Sequence, residues 1–148
     1  MNLTIKHYHD LTPDELYRIL QIRAEVFVVE QHCFYNDLDN KDKQAYHLWL
    51  SDDHTLLAYL RVLDQGVSFA DAGSIGRVLT AQQVRGQGHG KVLMQHGIDV
   101  AQDKFGLSKI RIHAQAYASA FYEQLGFVIC SEPFLEDGIP HVEMILQR

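Results

Sequence analysis

The sequence predicts one α/β domain, residues 1–148, in which a sheet carries helices. Three observations predict it. Segments of period-two and period-3.6 hydrophobicity alternate along the chain, with strand–helix–strand crossings that build a layered sheet. A glycine-rich turn at 83–91 joins a strand-like segment to a helix-like one. The composition, 148 residues with 47% hydrophobic and 22% charged, is that of an ordinary globular chain. Such a length buries roughly 68–70% of the unfolded surface without disulfide or metal.

Each element follows from local pattern. Residues 3–8 alternate and read as a short strand. Thr12, Pro13 and Glu15 spell a helix start, with Thr as N-cap, Pro at the first turn and Glu three residues on. Leu16, Ile19, Leu20, Val26 and Phe27 then keep helical spacing to about residue 29. Arg23 and Glu30 fall on that same face, seven apart, which makes them either an ion pair or a functional pair. Residues 31–45 lose periodicity and gain Asn and Asp, so a loop or short broken helix is expected. Two apolar runs, 46–51 and 55–64, split by Asp52-Asp53-His54, predict a hairpin. Residues 74–80 read as a strand, about 88–105 as a helix ended by Gly106, and 109–115 as an alternating strand. A short helix at 117–125 ends at Gly126. Strands at 127–131 and 141–147 follow, with Asp137-Gly138 as a turn pair between them.

Charge and composition remove several classes. The formal net charge of −6 opposes a nucleic-acid track. It is unevenly spread, with 6 basic and 12 acidic residues over 1–73, 6 and 2 over 74–112, and 1 and 5 over 113–148. The longest apolar run, Leu56 to Leu60, is far short of the ~20 residues that span a bilayer, and no apolar leader opens the chain. A cytoplasmic location with Cys33 and Cys130 as reduced thiols is therefore expected. His32-Cys33 and His7-x-His9 lack zinc-ligand spacing, so no metal is expected.

The stretch Gln83-Val84-Arg85-Gly86-Gln87-Gly88-His89-Gly90-Lys91 carries the chemistry. Glycines let backbone N–H groups turn toward a ligand, and a helix N-terminus adds unpaired donors and the positive end of its dipole. Arg85 and Lys91 add formal charge, so the segment reads as a phosphate cradle. It is not a P-loop, since Arg85 stands where the first glycine belongs and Val92 follows Lys91. It is not the dinucleotide GxGxxG either, since Lys91 stands at the third glycine.

Gln83-x-x-Gly86-x-Gly88, after Gly76-Arg77-Val78-Leu79-Thr80, resembles the acetyl-CoA signature of the GCN5-related N-acetyltransferases. Gln115-x-x-Ala118-x-x-x-Tyr122-Glu123-Gln124-Leu125-Gly126-Phe127 resembles that family's closing helix and strand. Residues 26–31, the acidic stretch Asp39–Asp42 before His47, and Gly138-Ile139-Pro140-His141 with Met144 are similar to the ElaA-like branch. The resemblance covers roughly residues 3–147. It implies a mixed, mostly antiparallel central sheet flanked by helices, and direct acetyl transfer from acetyl-CoA to a primary amine of a small molecule or peptide.

It further implies that Arg85, Gly86, Gln87, Gly88, His89, Gly90 and Lys91 hold the pyrophosphate. Val78, Leu79 and Thr80 would lie along the pantetheine arm, with Gln115 and Ala118 beside it. Tyr122 is implied as general acid to the departing thiolate. Relatives are monomers or dimers, which leaves both open here. For the general base, Glu30 is the first candidate, followed by His47 and His113. Glu30 has a rival role as partner of Arg23, and alternation points Arg77 away from the site. The acidic residues 30, 37, 39, 42, 132, 136 and 137 either surround a cationic acceptor or form solvated surface. A non-catalytic acyl-CoA sensor or scaffold is the alternative to an enzyme.

Overall fold

The computed structural model describes residues 1–148. The chain runs β1 (Asn2–His7), α1 (Pro13–Arg23), a π-helical segment (Ala24–Glu30), β2 (Tyr46–Asp52), β3 (Thr55–Leu63), β4 (Ser74–Thr80), α2 (His89–Phe105), β5 (Lys109–Gln115), α3 (Ser119–Glu123), β6 (Val128–Ile129), β7 (Phe134–Glu136) and β8 (Ile139–Gln147). The cap read from Thr12 and Glu15 forms in both directions. Glu15 N–H donates to Thr12 Oγ1 at 3.1 Å, and Thr12 N–H donates to Glu15 Oε1 at 2.9 Å.

The strands divide into two four-stranded antiparallel groups. One is ordered β1-β2-β3-β4; in the other, β8 pairs β5 on one edge and both β6 and β7 on the opposite edge. The single sheet read from the element order is thus open in the middle. Only one parallel bridge, Gly73 with Ile110, joins the halves, through Gly73 N–H to Lys109 O at 3.1 Å and Arg111 N–H to Gly73 O at 2.9 Å. Beyond Gly73, β4 pairs β3 on one side and has no strand on the other.

Two apolar clusters fix the layers. Leu48, Leu50, Leu60, Val62 and Ile75 of the first sheet pack with Leu93, Met94 and Ile98 of α2, in one cluster with Ile110, Ile112, Met144 and Leu146 of the second. On the opposite face, Trp49, Leu56, Tyr59 and Leu79 pack on Ile19, Val26 and Phe27 of the first helix. Gly97 lets α2 approach β3 closely, since a Cβ there would lie 3.2 Å from Leu60 Cδ1.

Three differences from the sequence reading, and one agreement with it at residues 31–45, bear on function. The first helix changes winding at Ala24, and its i→i+5 pattern spends more residues per turn. That rotates Glu30 off the Arg23 side. Residues 31–45 are a loop with one 3₁₀ turn, Lys41–Gln44. The strand expected at 127–131 shrinks to two residues, and Phe134–Glu136 adds a hairpin strand that needs no sequence longer than its turn, Asp137-Gly138. Finally, β4 carries a bulge. Tyr59 faces Leu79 while Arg61 faces Gly76, so Leu60 opposes both Arg77 and Val78, and Arg77 has φ +52°.

Candidate active site

Where β4 and β5 part, a cleft of about 440 Å³ opens. Its walls are Ile75–Thr80 of β4, Ile112, His113 and Gln115 of β5, the end of the π-helical segment, Cys33 and Tyr35, Tyr122, and the β7–β8 turn. Nine residues read from the sequence as cofactor contacts, general acid or general base meet here: Glu30, Val78, Leu79, Thr80, Arg85, His113, Gln115, Ala118 and Tyr122. Gly86, Gln87, Gly88, His89, Gly90 and Lys91 lie outside that lining, on the turn that continues from Arg85.

The turn is built as its glycines require. Gly86 and Gly88 have φ of +82° and +85°, a region a Cβ disfavours. Gly88 is the N-cap of the 17-residue α2 and no side chain caps it, so the first helical N–H groups are free for an anion. Gly90 packs where a Cβ would come within 3.3 Å of Thr80 Oγ1, which ties the turn to the end of β4. Arg85 spans the same junction. Its Nε donates to Thr80 O at 3.0 Å and its Nη2 to Glu30 Oε2 at 2.6 Å, and the bond to Glu30 raises the guanidinium's pKa.

An acyl-CoA fits what this end offers: a β4 edge with free main-chain groups for an extended arm, then a glycine turn and an uncapped helix start for phosphates. Tyr122 lies beside Phe121 and Phe127, its hydroxyl makes no protein hydrogen bond, and burial pushes its pKa up to about 12. Gln115 and Gln31 exchange amide bonds of 3.3 and 3.5 Å across the cleft.

The other end is polar. His113 Nδ1 is 3.0 Å from Glu136 Oε1 and its Nε2 is 3.3 Å from Glu143 Oε1. His141, 7% exposed, stacks on Phe134 and binds Ile139 O through Nδ1 at 2.7 Å. Glu136, Asp137, His113 and His141 all face the cleft. Cys33 Sγ is 3.7 Å from Asp137 O, which fastens the 31–37 loop to the β7–β8 turn. His141 received no role from the sequence beyond its place in a family motif. Strand parity was the available signal, because His141 pairs with Gln115 and shares a sheet face with His113 and Glu143.

Four expectations change. His47 does not reach the cleft. It is fully buried, Nε2–H donates to Asp42 O at 2.9 Å, and Nδ1 accepts from the Tyr59 hydroxyl at 2.7 Å. Burial lowers its pKa, which holds it neutral as a structural group. Glu30 pairs with Arg85 and not with Arg23.

Arg23 turns inward to Asp37 at 2.9 Å and Asp42 at 2.7 Å. Arg61 binds Asp39 and Asp42, and Arg77 binds Asp37 at 2.7 Å. Asp37, Asp39 and Asp42 are therefore internal counter-ions of three arginines and are unavailable to an acceptor. Burial opposes ionisation of Asp39 and Asp42, yet the arginine bonds hold both below the usual carboxylate range. Arg77 itself lines the cleft, because the bulge breaks the alternation that would have turned it away.

Comparison with known proteins agrees with this geometry. The acetyltransferase (GNAT) domain family matches residues 9–148. The chain belongs to the GNAT family. It is ElaA-like: Escherichia coli ElaA is 35% identical over 93% of this chain and 91% of its own. The ElaA crystal structure superposes with TM-score 0.92, covering 99% of this chain and all of that one. An acyl-CoA N-acyltransferase from Pseudomonas aeruginosa is 41% identical, with TM-score 0.91 over 99% of both chains. GNAT membership and this neighbour support an acyl-CoA-dependent acyltransferase. No helix is long and apolar enough to cross a membrane.

Proposed function

We propose that this GNAT protein transfers an acetyl group from acetyl-CoA to a primary amine in a ternary complex. The observation that carries the reading is the unpaired edge of β4 leading to the uncapped start of α2. Acyl-CoA, when bound, supplies the activated acyl thioester. The N–H groups at the start of α2 bind phosphate, and Arg85 turns from Glu30 toward the added negative charge. Backbone groups of Val78 to Thr80 hold the extended arm, and the bulge at Arg77–Val78 frees a main-chain N–H to stabilise charge on the carbonyl oxygen. Tyr122 holds the proton for the departing sulfur at its hydroxyl, which burial keeps protonated. Cys130 is not placed for a covalent relay: it is exposed, outside the cleft lining, and burial and Glu143 raise its thiol pKa, while Cys33 lines the cleft with its Sγ on the main-chain oxygens of Gln31 and Asp137.

The test has two parts. Acetyl-CoA and CoA are expected to raise the melting temperature where ATP and NAD do not, with about 2.7 kcal/mol of stabilisation at a hundredfold excess over Kd. Thiol release with a panel of primary amines is then expected to yield N-acetylated product. Stabilisation without turnover on any amine would favour the sensor, and stabilisation by ATP or NAD instead would overturn the reading.

A further inference from the structure

We infer that His141 is the general base that takes the proton from the acceptor ammonium, with Glu136 as its positioning residue; this rests on the N-acyl transfer read above. Of the other titratable groups, Glu30 stands at the cofactor end of the cleft, with Oε2 2.6 Å from Arg85. His113 is exposed, and both its ring nitrogens face carboxylates. His141 differs. Its Nδ1 lies 2.7 Å from Ile139 O, and a carbonyl only accepts, so Nδ1 carries the hydrogen. Neutral His141 therefore has a bare lone pair on Nε2. That nitrogen makes no hydrogen bond, on a side chain only 7% exposed in the cleft wall.

Glu136 Oε2 lies 3.5 Å from Nε2, close enough to stabilise the imidazolium once it forms. His113 holds the other Glu136 oxygen at 3.0 Å, which fixes the carboxylate, and Phe134 stacks on the His141 ring. The charged and titratable groups around it are Glu136 on β7, His113 on β5, Asp137 in the turn, Cys33 and Tyr35 on the loop, and Arg77 on β4. The acceptor class is a cationic primary amine, which meets Glu136 and Asp137 where Asp37, Asp39 and Asp42 are already neutralised.

The step balances. The ammonium gives one proton to Nε2. The freed nitrogen lone pair forms the C–N bond at the thioester carbon as the C–S bond breaks, and that electron pair goes to sulfur. Sulfur takes a proton from Tyr122, which the second ammonium proton replaces. His141 returns its proton to solvent, so ammonium and thioester give amide, thiol and one H⁺.

The experiment compares wild type, His141→Asn, whose amide retains a donor for Ile139 O, and Glu136→Gln. One arm is the kcat/KM–pH profile with acetyl-CoA and 2-phenylethylamine, 1,5-diaminopentane and an N-terminally free peptide. His141→Asn is expected to lose about 10²-fold or more with acetyl-CoA affinity unchanged. Glu136→Gln is expected to lower kcat about 10-fold with the KM for acetyl-CoA unchanged, because the lost carboxylate no longer stabilises the imidazolium as it forms. The other arm needs no turnover. ¹⁵N NMR of the imidazole, assigned with His141→Asn, is expected to show Nδ1–H in the neutral form, in wild type and in Glu136→Gln alike. An active wild type with His141→Asn equally active at every pH overturns the base alone, as does an Nε2–H tautomer. A wild type that acylates no amine overturns the function and the base together.

Discussion

At the scale of single residues, the structure separates polar groups whose hydrogen bonds the fold completes from those it leaves open on the cleft. Tyr122 and His47 illustrate the division. His47 is fully buried with both ring nitrogens bonded, whereas Tyr122 is half-buried in the cleft wall and its hydroxyl has no protein partner. A hydroxyl left unbonded beside the cleft is open to a ligand there as donor or acceptor. Tyr122→Phe is therefore expected to lower kcat by about 10²-fold or more while leaving acetyl-CoA binding nearly intact, as steady-state kinetics and isothermal titration would show. Unchanged kcat would remove Tyr122 from proton transfer. Arg23 marks the opposite case. It is fully buried with two carboxylates on one guanidinium, so Arg23→Met leaves buried negative charge and is expected to cost about 3–5 kcal/mol in urea unfolding. The sequence showed that Arg23 and Glu30 stood on an apolar face and needed explaining. Which partner each takes was hidden, because it depends on a change of helical winding and on a loop that folds back 14 to 19 residues later.

At the scale of elements, the legible parts were those with local physical signatures. The Thr12–Glu15 cap, Gly106 and Gly126 at positive φ, the hairpin at 46–64 and the strand–turn–helix around Gly86 and Gly88 all follow from neighbours in sequence. The breaks in regularity were less legible. Gly76 inside the strand is a local hint of a bulge, but alternation alone sends Arg77 the wrong way, and the bulge's position appears only against β3. The gap between β4 and β5 has no local code, since it arises from how two sheets share one face of α2. Gly73 is the joint. A Cβ there would collide with Leu107 Cδ1 and stand 2.9 Å from the backbone Leu63 O, which cannot swing aside. Gly73→Ala is expected to destabilise by about 1–3 kcal/mol, read as a lower melting temperature, with the loss concentrated at the one bridge between the half-sheets. A neutral substitution would mean the joint is looser than its contacts imply.

For the whole molecule, charge is arranged differently from its order along the chain. The acidic N-terminal half spends Asp37, Asp39 and Asp42 on internal arginines, while Arg85 and Arg111 of the basic middle pair with Glu30, Asp71 and Glu143. Stability against pH should follow. His47 is buried neutral, so its contribution is full above the unfolded value of about 6.5 and is lost as pH falls through the lowered folded value. Asp39 and Asp42 contribute fully above about pH 4 and lose that contribution on further acidification. Unfolding free energy measured from pH 8 to 3 is expected to fall in two stages, and His47→Gln should flatten only the first. An identical first stage in that variant would assign it to other histidines. The open margin of β4 has one more consequence. Exposed strand margins recruit other polypeptides and seed aggregation. This one lines a cleft that Gln31 and Gln115 bridge with mutual amide hydrogen bonds, so a strand from a neighbouring copy meets walls where an open margin would offer none.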